Sequence, residues 1–263
     1  MIILTTFMSN MANLNNYKKN IYSQNGEDGI IIEILRRSKL LNKKSKWACE
    51  FGAWDGIKGS NTFNLIKNYK FNGVYIEGDK KKFNLLIKTS EKFKRIIPLN
   101  MFVSHKKKSN FSLERILNKT KIPKKFEVLS IDIDSYDLSV WESFKRYDPQ
   151  VVIIEINSGI KPGILQKNSY KKRGNSFTST VKVGLKKGYF LVSHTGNCIF
   201  VKKNLMNKLK IEKKFISNPN LLFDNQWLTK KDNIIKFLFK KIVPFYIINL
   251  IRNIKHTINL KFI

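Results

Sequence analysis

Two apolar runs constrain the fold most. Residues 126–133 and 151–156 are too rich in β-branched and aliphatic side chains to alternate with polar ones, which is typical of strands buried on both faces of a parallel sheet. Shorter apolar runs at 47–51 and 73–76 each precede a segment with helical spacing. The repeated strand–helix order predicts an α/β fold with a mostly parallel, doubly wound sheet and helices on both of its faces.

The later part of the chain predicts a different strand pairing. Residues 189–193 and 198–201 flank the short polar turn His194-Thr195-Gly196-Asn197, which is the pattern of a β-hairpin. We expect this antiparallel hairpin to close one edge of the sheet. We expect an N-terminal extension (1–20), a main domain (21–205) and a basic, apolar C-terminal appendage (206–263), and the sequence changes character from Leu221 onward.

The charge of the chain is strongly one-sided. Fifty Lys and Arg residues against 19 Asp and Glu give a formal net charge of +31, which would attract nucleic acid, anionic lipid or an acidic substrate. Lys, Asn and Ile are also abundant along the whole chain, so a purely compositional origin stays open. Residues 237–246 mix aromatic residues with Lys, which indicates either peripheral contact with a membrane surface or packing on the domain.

Cysteine usage and the chain start bear on the compartment. Cys49 and Cys198 have no metal-ligand or disulfide spacing, and residues 1–8 have neither a basic start nor a signal-cleavage site. No run reaches the roughly 20 apolar residues that a membrane-spanning helix needs. We expect a cytoplasmic protein that is soluble or associated with a membrane surface.

A glycine-containing turn follows the first predicted strand. The segment 50–56 reads Glu50-Phe51-Gly52-Ala53-Trp54-Asp55-Gly56, and such a turn lets a ligand approach the backbone, although it can also be purely structural. Glu77 ends the next predicted strand, where a carboxylate can accept hydrogen bonds from ribose hydroxyls. The third glycine of a dinucleotide motif is missing, which disfavours NAD without deciding the ligand.

Carboxylates also follow the third and fourth buried runs of the predicted sheet. Asp132 and Asp134 end one apolar run, and Glu155 ends the next. Because the carboxyl ends of parallel strands meet at one edge, these groups should converge. They could share a proton, hold a divalent cation through oxygen ligands or act as a general base, and capping of a loop is the alternative.

At these positions the chain resembles the FkbM-type methyltransferases, over residues 22–205. The resemblance rests on the segments 22–28, 50–56, 76–79, 130–137, 152–157 and 188–201. It implies a Rossmann-like class I fold, S-adenosylmethionine as the cofactor, and O-methylation of a sugar, a glycan or a related small hydroxyl-bearing acceptor in polysaccharide biosynthesis. The resemblance also implies a role for single residues. Gly52 and Gly56 would line the methionine part of the cofactor, and Glu77 would bind its ribose. Residues 100–104 with Asn100 would line the adenine, and Asp132 would lie nearest the transferred methyl group.

Methyl transfer requires the acceptor to be aligned and its proton to be removed. Asp132 or Asp134 is the expected base, with His194 as a further candidate. Glu50, Ala53 and Asp55 are expected to complete the cofactor site, and any divalent ion would bind Asp132, Asp134 and Glu155.

Two other functions compete with this expectation. An RNA methyltransferase would suit the charge, but the Asn/Asp-Pro-Pro-aromatic motif of amino-directed nucleic-acid enzymes is replaced by 131–134, so nucleic acid is a less expected partner. A non-catalytic scaffold with the same fold would bind the cofactor weakly or not at all. The sequence carries no indication of the oligomeric state.

Overall fold

The computed structural model describes residues 12–229. Within this range the chain forms seven strands and eight α-helices. The strands are β1 (Trp47–Phe51), β2 (Asn72–Glu77), β3 (Ile96–Asn100), β4 (Val128–Ile131), β5 (Val151–Glu155), β6 (Tyr189–His194) and β7 (Asn197–Lys202). The helices are α1 (Glu27–Arg37), α2 (Phe63–Tyr69), α3 (Lys80–Lys92), α4 (Leu113–Leu117), α5 (Asp137–Ser143), α6 (Phe177–Lys186), α7 (Met206–Leu209) and α8 (Lys213–Ser217).

The strands form one sheet in the order β3-β2-β1-β4-β5-β7-β6. The pairs among β1 to β5 are parallel, and β7 is antiparallel to both β5 and β6. The strand order reverses at β1, so right-handed crossovers place helices on opposite faces. The predicted fold class is confirmed: this is a Rossmann-like sheet of the class I methyltransferase type, mostly parallel, with a C-terminal antiparallel hairpin.

Burial explains why the apolar runs become central strands. Every residue of β4 and the first four residues of β5 are buried, as expected for strands covered on both faces. The helical spacing of the apolar residues in 26–40 predicts a helix that reaches Leu40, and the apolar residues of 96–103 predict a strand. Both elements are shorter in the structure. The helix ends at Arg37, because Lys39 adopts a left-handed conformation with a φ of 62°, and β3 ends at Asn100.

The described parts of the two predicted terminal segments pack against the domain. The amide of Ala12 donates to the carbonyl of Lys210 at 2.8 Å, and the guanidinium of Arg37 donates to the carbonyl of Leu209 at 2.9 Å. Leu14 and Leu209 are fully buried. The boundaries at 20 and 205 stay predictions, and the aromatic and basic stretch 237–246 lies outside the described residues.

Among residues 12–229, no helix combines the length and the hydrophobicity needed to cross a membrane. Cys49 and Cys198 are buried and unpaired with each other, in agreement with their lack of disulfide spacing.

Candidate functional site

The five parallel strands end level with one another. Their register aligns Phe51 with Ile76 and Ile131, Ile76 with Leu99, and Ile131 with Ile154. The residue that follows each of these aligned positions therefore lies in one row across the carboxyl edge of the sheet. This row, called the carboxyl-edge row below, consists of Asn100, Glu77, Gly52, Asp132 and Glu155. It spans four strand spacings, about 19 Å.

Glu77 connects two loops at this edge. One carboxylate oxygen accepts a hydrogen bond from the amide of Trp54 at 2.9 Å, and the other accepts one from the amide of Asp79 at 2.8 Å. The side chain of Asn100 donates to the carbonyl of Glu77 at 2.8 Å. Burial raises the pKa of Glu77, against the lowering effect of the two amides. Glu77 therefore holds the loop after β1 in place and keeps further lone pairs for a ligand.

Contacts within the protein require a glycine at position 52. Its φ is 79°, and a Cβ atom there would lie 1.6 Å from the carbonyl oxygen of Asp132. The sequence suggested that this glycine lets a ligand approach, but the atom that approaches is the backbone of the β4 end. At Gly56, with a φ of 81°, a Cβ atom would lie 2.7 Å from the end of the Leu86 side chain on α3.

Glu50 lies two residues before Gly52 of the row, and its carboxylate is hydrogen-bonded inside the protein. It accepts hydrogen bonds from the hydroxyl of Ser60 at 2.7 Å, from the amide of Asn61 at 3.1 Å, and from the amide and hydroxyl of Thr62. Burial raises the pKa of Glu50. These bonds fix the segment before α2, so any contribution of Glu50 to cofactor binding would act through the loop that it holds.

Ala53 and Asp55 shape the same loop. The amide of Ala53 donates to the carbonyl of Ile76 at 3.2 Å. One oxygen of Asp55 accepts from the amides of Ile57 and Lys58, both at 2.8 Å, a turn that aspartate commonly closes.

Asp132 and Glu155 form a carboxyl pair. The two side chains are within hydrogen-bonding reach of each other, and the contact with Glu155 lowers the pKa of Asp132. Burial, followed by the nearby charges of Asp134 and Asp137, raises the pKa of Asp132 to about 8. The strand order places this pair on the adjacent strands β4 and β5, at one end of the row, so the structure brings together two of the three predicted carboxylates.

Asp134 and Asp137 occupy the loop after β4. Asp134 is exposed and has a φ of 56°. Asp137, which the sequence analysis did not assign to the site, accepts from the amide of Ile133 at 2.7 Å and from that of Ser135 at 2.9 Å. Burial raises the pKa of Asp137 to about 6. Asp137 is the first residue of α5. An acidic residue at the start of a helix is the sequence signal that could have identified it as a residue that closes the preceding loop.

His194 lies at the end of β6, beyond β7, and is fully buried. Its Nδ1 accepts from the amide of Asp224 at 2.9 Å, and its Nε2 lies 3.2 Å from the hydroxyl of Ser158. Burial lowers its pKa to about 3. The ring is therefore neutral with the proton on Nε2, and both nitrogens are engaged by protein partners, which does not favour a role as a base.

The segment 22–28 reaches the same edge from the other side. The Glu27 carboxylate accepts from the hydroxyl of Thr195 at 2.7 Å and from the side-chain amide of Asn197 at 3.2 Å. Asn197 is the β7 partner of Glu155. This lead-in segment therefore forms a wall beside the Asp132–Glu155 pair.

Within residues 12–229, no group of three or more His, Cys, Asp or Glu side chains is arranged to hold a metal ion.

The fold resembles several solved structures at low sequence identity. The chain is similar to TrmK from M. capricolum in complex with S-adenosyl-homocysteine, with 15% identity, coverage of 84% of this chain and 93% of that chain, and a TM-score of 0.42. It is similar to the CurJ carbon methyltransferase, with 9% identity, coverage of 68% of this chain and 55% of that chain, and a TM-score of 0.45. It is also similar to an O-methyltransferase family protein from Burkholderia thailandensis, with 9% identity, coverage of 66% of this chain and 57% of that chain, and a TM-score of 0.40. The chain thus spans a little over half of the last two. At these TM-scores the similarity carries no argument about the site, and the fold assignment rests on the strand order.

No protein-family model matches the chain, and no curated protein sequence matches it. The resemblance to FkbM-type enzymes stays a prediction.

Proposed function

We propose that this protein is an S-adenosylmethionine-dependent methyltransferase that O-methylates a sugar, a glycan or a related small hydroxyl-bearing acceptor. The observation that carries the proposal is the carboxyl-edge row, which aligns Asn100, Glu77, Gly52, Asp132 and Glu155 across five parallel strands. In open α/β sheets, ligands bind outside the carboxyl ends of the strands, where the strand order reverses. Here that reversal is at β1, between Glu77 and Asp132.

The residues present fit the proposed cofactor. Glu77 offers carboxylate acceptors to ribose hydroxyls, and the ordered loop 52–56 lies beside it for the methionine part. Asn100 and the segment after it would border the adenine. The ring of His105, which follows this segment, stacks on Tyr136 at 4.2 Å between centroids, so the loops after β3 and β4 meet there and can close this side of the site.

The cofactor would supply an electrophilic methyl group on a sulfonium centre. The residues of this chain would then align the acceptor hydroxyl and take its proton, and Asp132, next to Gly52 in the row, is the residue proposed for that role. Glu155, within hydrogen-bonding reach of Asp132, would orient the Asp132 carboxyl group. Asp134 raises the proton affinity of Asp132 through its charge.

Cofactor binding is tested first, by calorimetric titration with S-adenosylmethionine and S-adenosylhomocysteine. We expect micromolar binding by the wild-type protein, and a loss of roughly tenfold to hundredfold in Glu77→Ala, because one or two hydrogen bonds to a carboxylate disappear. Glu91→Ala, which removes an exposed carboxylate from α3, is the matched control and should bind as the wild type does.

Thermal unfolding of the same samples separates loss of the ribose contact from loss of the fold, since Glu77 also holds Trp54 and Asp79. Absence of binding by the wild-type protein would contradict the proposed function. Unchanged binding by a folded Glu77→Ala variant would remove Glu77 from the site.

A further inference from the structure

The positive charge is concentrated in one part of the chain. Residues 80–125 contain fifteen Lys and Arg but only two acidic residues, whereas the other described residues, 12–79 and 126–229, contain 27 basic and 16 acidic ones. The 46-residue segment thus carries more than half of the net charge of the 218 described residues. A purely compositional excess of lysine would be spread evenly, so the concentration favours a functional charge.

All fifteen of these basic side chains are exposed. Helix α3 carries five of them, Lys80, Lys81, Lys82, Lys88 and Lys92. Lys81, Lys88 and Lys92 share the outer side of the helix, at spacings of seven and four residues, over about 17 Å. Within the described part of the chain, none of the five has a carboxylate oxygen within 4 Å.

An exposed aromatic ring connects this helix to the candidate site. The Trp54 side chain is 41% exposed, with Lys82 at 5.0 Å and Lys58 at 5.4 Å from its ring centroid. Its backbone amide donates to Glu77 of the carboxyl-edge row. Trp54, Lys58 and the five lysines of α3, called the α3 face below, therefore form a basic surface that begins beside the proposed cofactor site and extends down α3.

We propose that the α3 face binds an acidic glycan, a chain of sugars bearing carboxylate groups, and that this glycan is the class of acceptor used by the proposed methyltransferase. This inference rests on the proposed function. A row of ammonium groups is complementary to regularly spaced anions, and an exposed indole packs against the apolar face of a sugar ring. Glu77 and Asp132 are separated by two strand spacings, about 10 Å. A glycan that is held on α3 would span this distance and so reach Asp132.

The same surface favours a glycan over a nucleic acid. Proteins that bind single-stranded nucleic acid combine a basic groove with several aromatic rings on which successive bases stack. The described α3 face exposes one large aromatic ring, Trp54, whereas stacking of successive bases needs several.

The test compares two triple variants of the full chain by fluorescence anisotropy. One variant carries Lys81→Glu, Lys88→Glu and Lys92→Glu, and the matched control carries Lys203→Glu, Lys208→Glu and Lys213→Glu, which are exposed lysines elsewhere. The probes are a labelled galacturonate decamer, a neutral dextran of equal length and a decamer of uridylate RNA, each at two salt concentrations. We expect the α3 variant to bind the galacturonate about 30-fold more weakly than the wild type, and the control to change less than threefold.

Each other result overturns the proposal. Equal weakening by both triple variants would show that net charge alone attracts the probe. Wild-type protein that binds dextran as tightly as galacturonate would show that the carboxylate groups of the glycan do not contribute to binding. Tighter binding of the RNA than of the galacturonate by the wild type would make nucleic acid the occupant. The anisotropy assay contains no S-adenosylmethionine, so it tests glycan binding independently of cofactor binding. A protein that binds galacturonate but not the cofactor would support the glycan-binding surface and contradict the proposed function.

Discussion

Replacing Asp132 with asparagine is expected to slow methyl transfer by about 10²–10⁴-fold while cofactor binding changes little. The amide cannot accept the acceptor proton, but it keeps the size of the side chain and can still hydrogen-bond Glu155. Transfer is measured in single turnover, with binding measured separately by calorimetry. Glu155→Gln keeps Asp132 and a donor to it, and should reduce transfer by less than Asp132→Asn does.

The pH dependence follows from the sign of the pKa shift. Because burial raises the pKa of Asp132 to about 8, the base form accumulates as pH rises. Transfer by the wild-type protein should increase up to about pH 8 and then level off. The residual activity of Asp132→Asn should lack this rise, and a variant that keeps it would show that another group accepts the proton.

The same shift predicts an opposite effect on stability. A carboxyl group with a raised pKa binds its proton more tightly in the folded state, so its ionisation costs stability as pH rises from about 4 through about 8. Asp132→Asn removes that cost. The variant should unfold at a higher temperature than the wild type at about pH 8, and the difference should disappear near about pH 4.

Gly52→Ala is expected to lower the free energy of unfolding by roughly 3 kcal/mol or more, a large part of the total of a typical domain. A Cβ atom at this position would lie 1.6 Å from the carbonyl oxygen of Asp132, and a backbone atom at the end of a buried strand cannot turn aside as a flexible side chain can. Denaturant unfolding of the purified variant measures the loss.

Gly188→Ala separates this collision from the cost of the backbone conformation. Gly188 has a φ of 78°, close to the 79° of Gly52, and a Cβ atom added to it would have no neighbouring atom within 4 Å. Alanine there should cost only the strain of a left-handed residue, about 1 kcal/mol. Equal losses in the two variants would mean that φ alone, and not contact with Asp132, makes Gly52 necessary.

Several parts of the site could be predicted from the sequence because they depend on residues close in the chain. The apolar runs determine which segments become buried strands, and Glu77, Asp132 and Glu155 are found at the ends of those runs. The left-handed residues at 39 and 54 could not be predicted in the same way, since lysine and tryptophan do not favour that conformation and only the surrounding contacts impose it.

The sequence by itself determined the order of strands and helices and the acidic ends of three strands, because periodicity and turn chemistry act over a few residues. Only the tertiary structure decided how those ends are used. Glu50 is taken up by residues 60–62, Asp132 is paired with Glu155, and Gly52 is pressed against the Asp132 carbonyl. The contacts of Asp132 with Glu155 and with Gly52 join neighbouring strands, and the pairing of β4 with β5 and with β1 brings them together. The Glu50 contact depends on how the loop before α2 folds back onto β1.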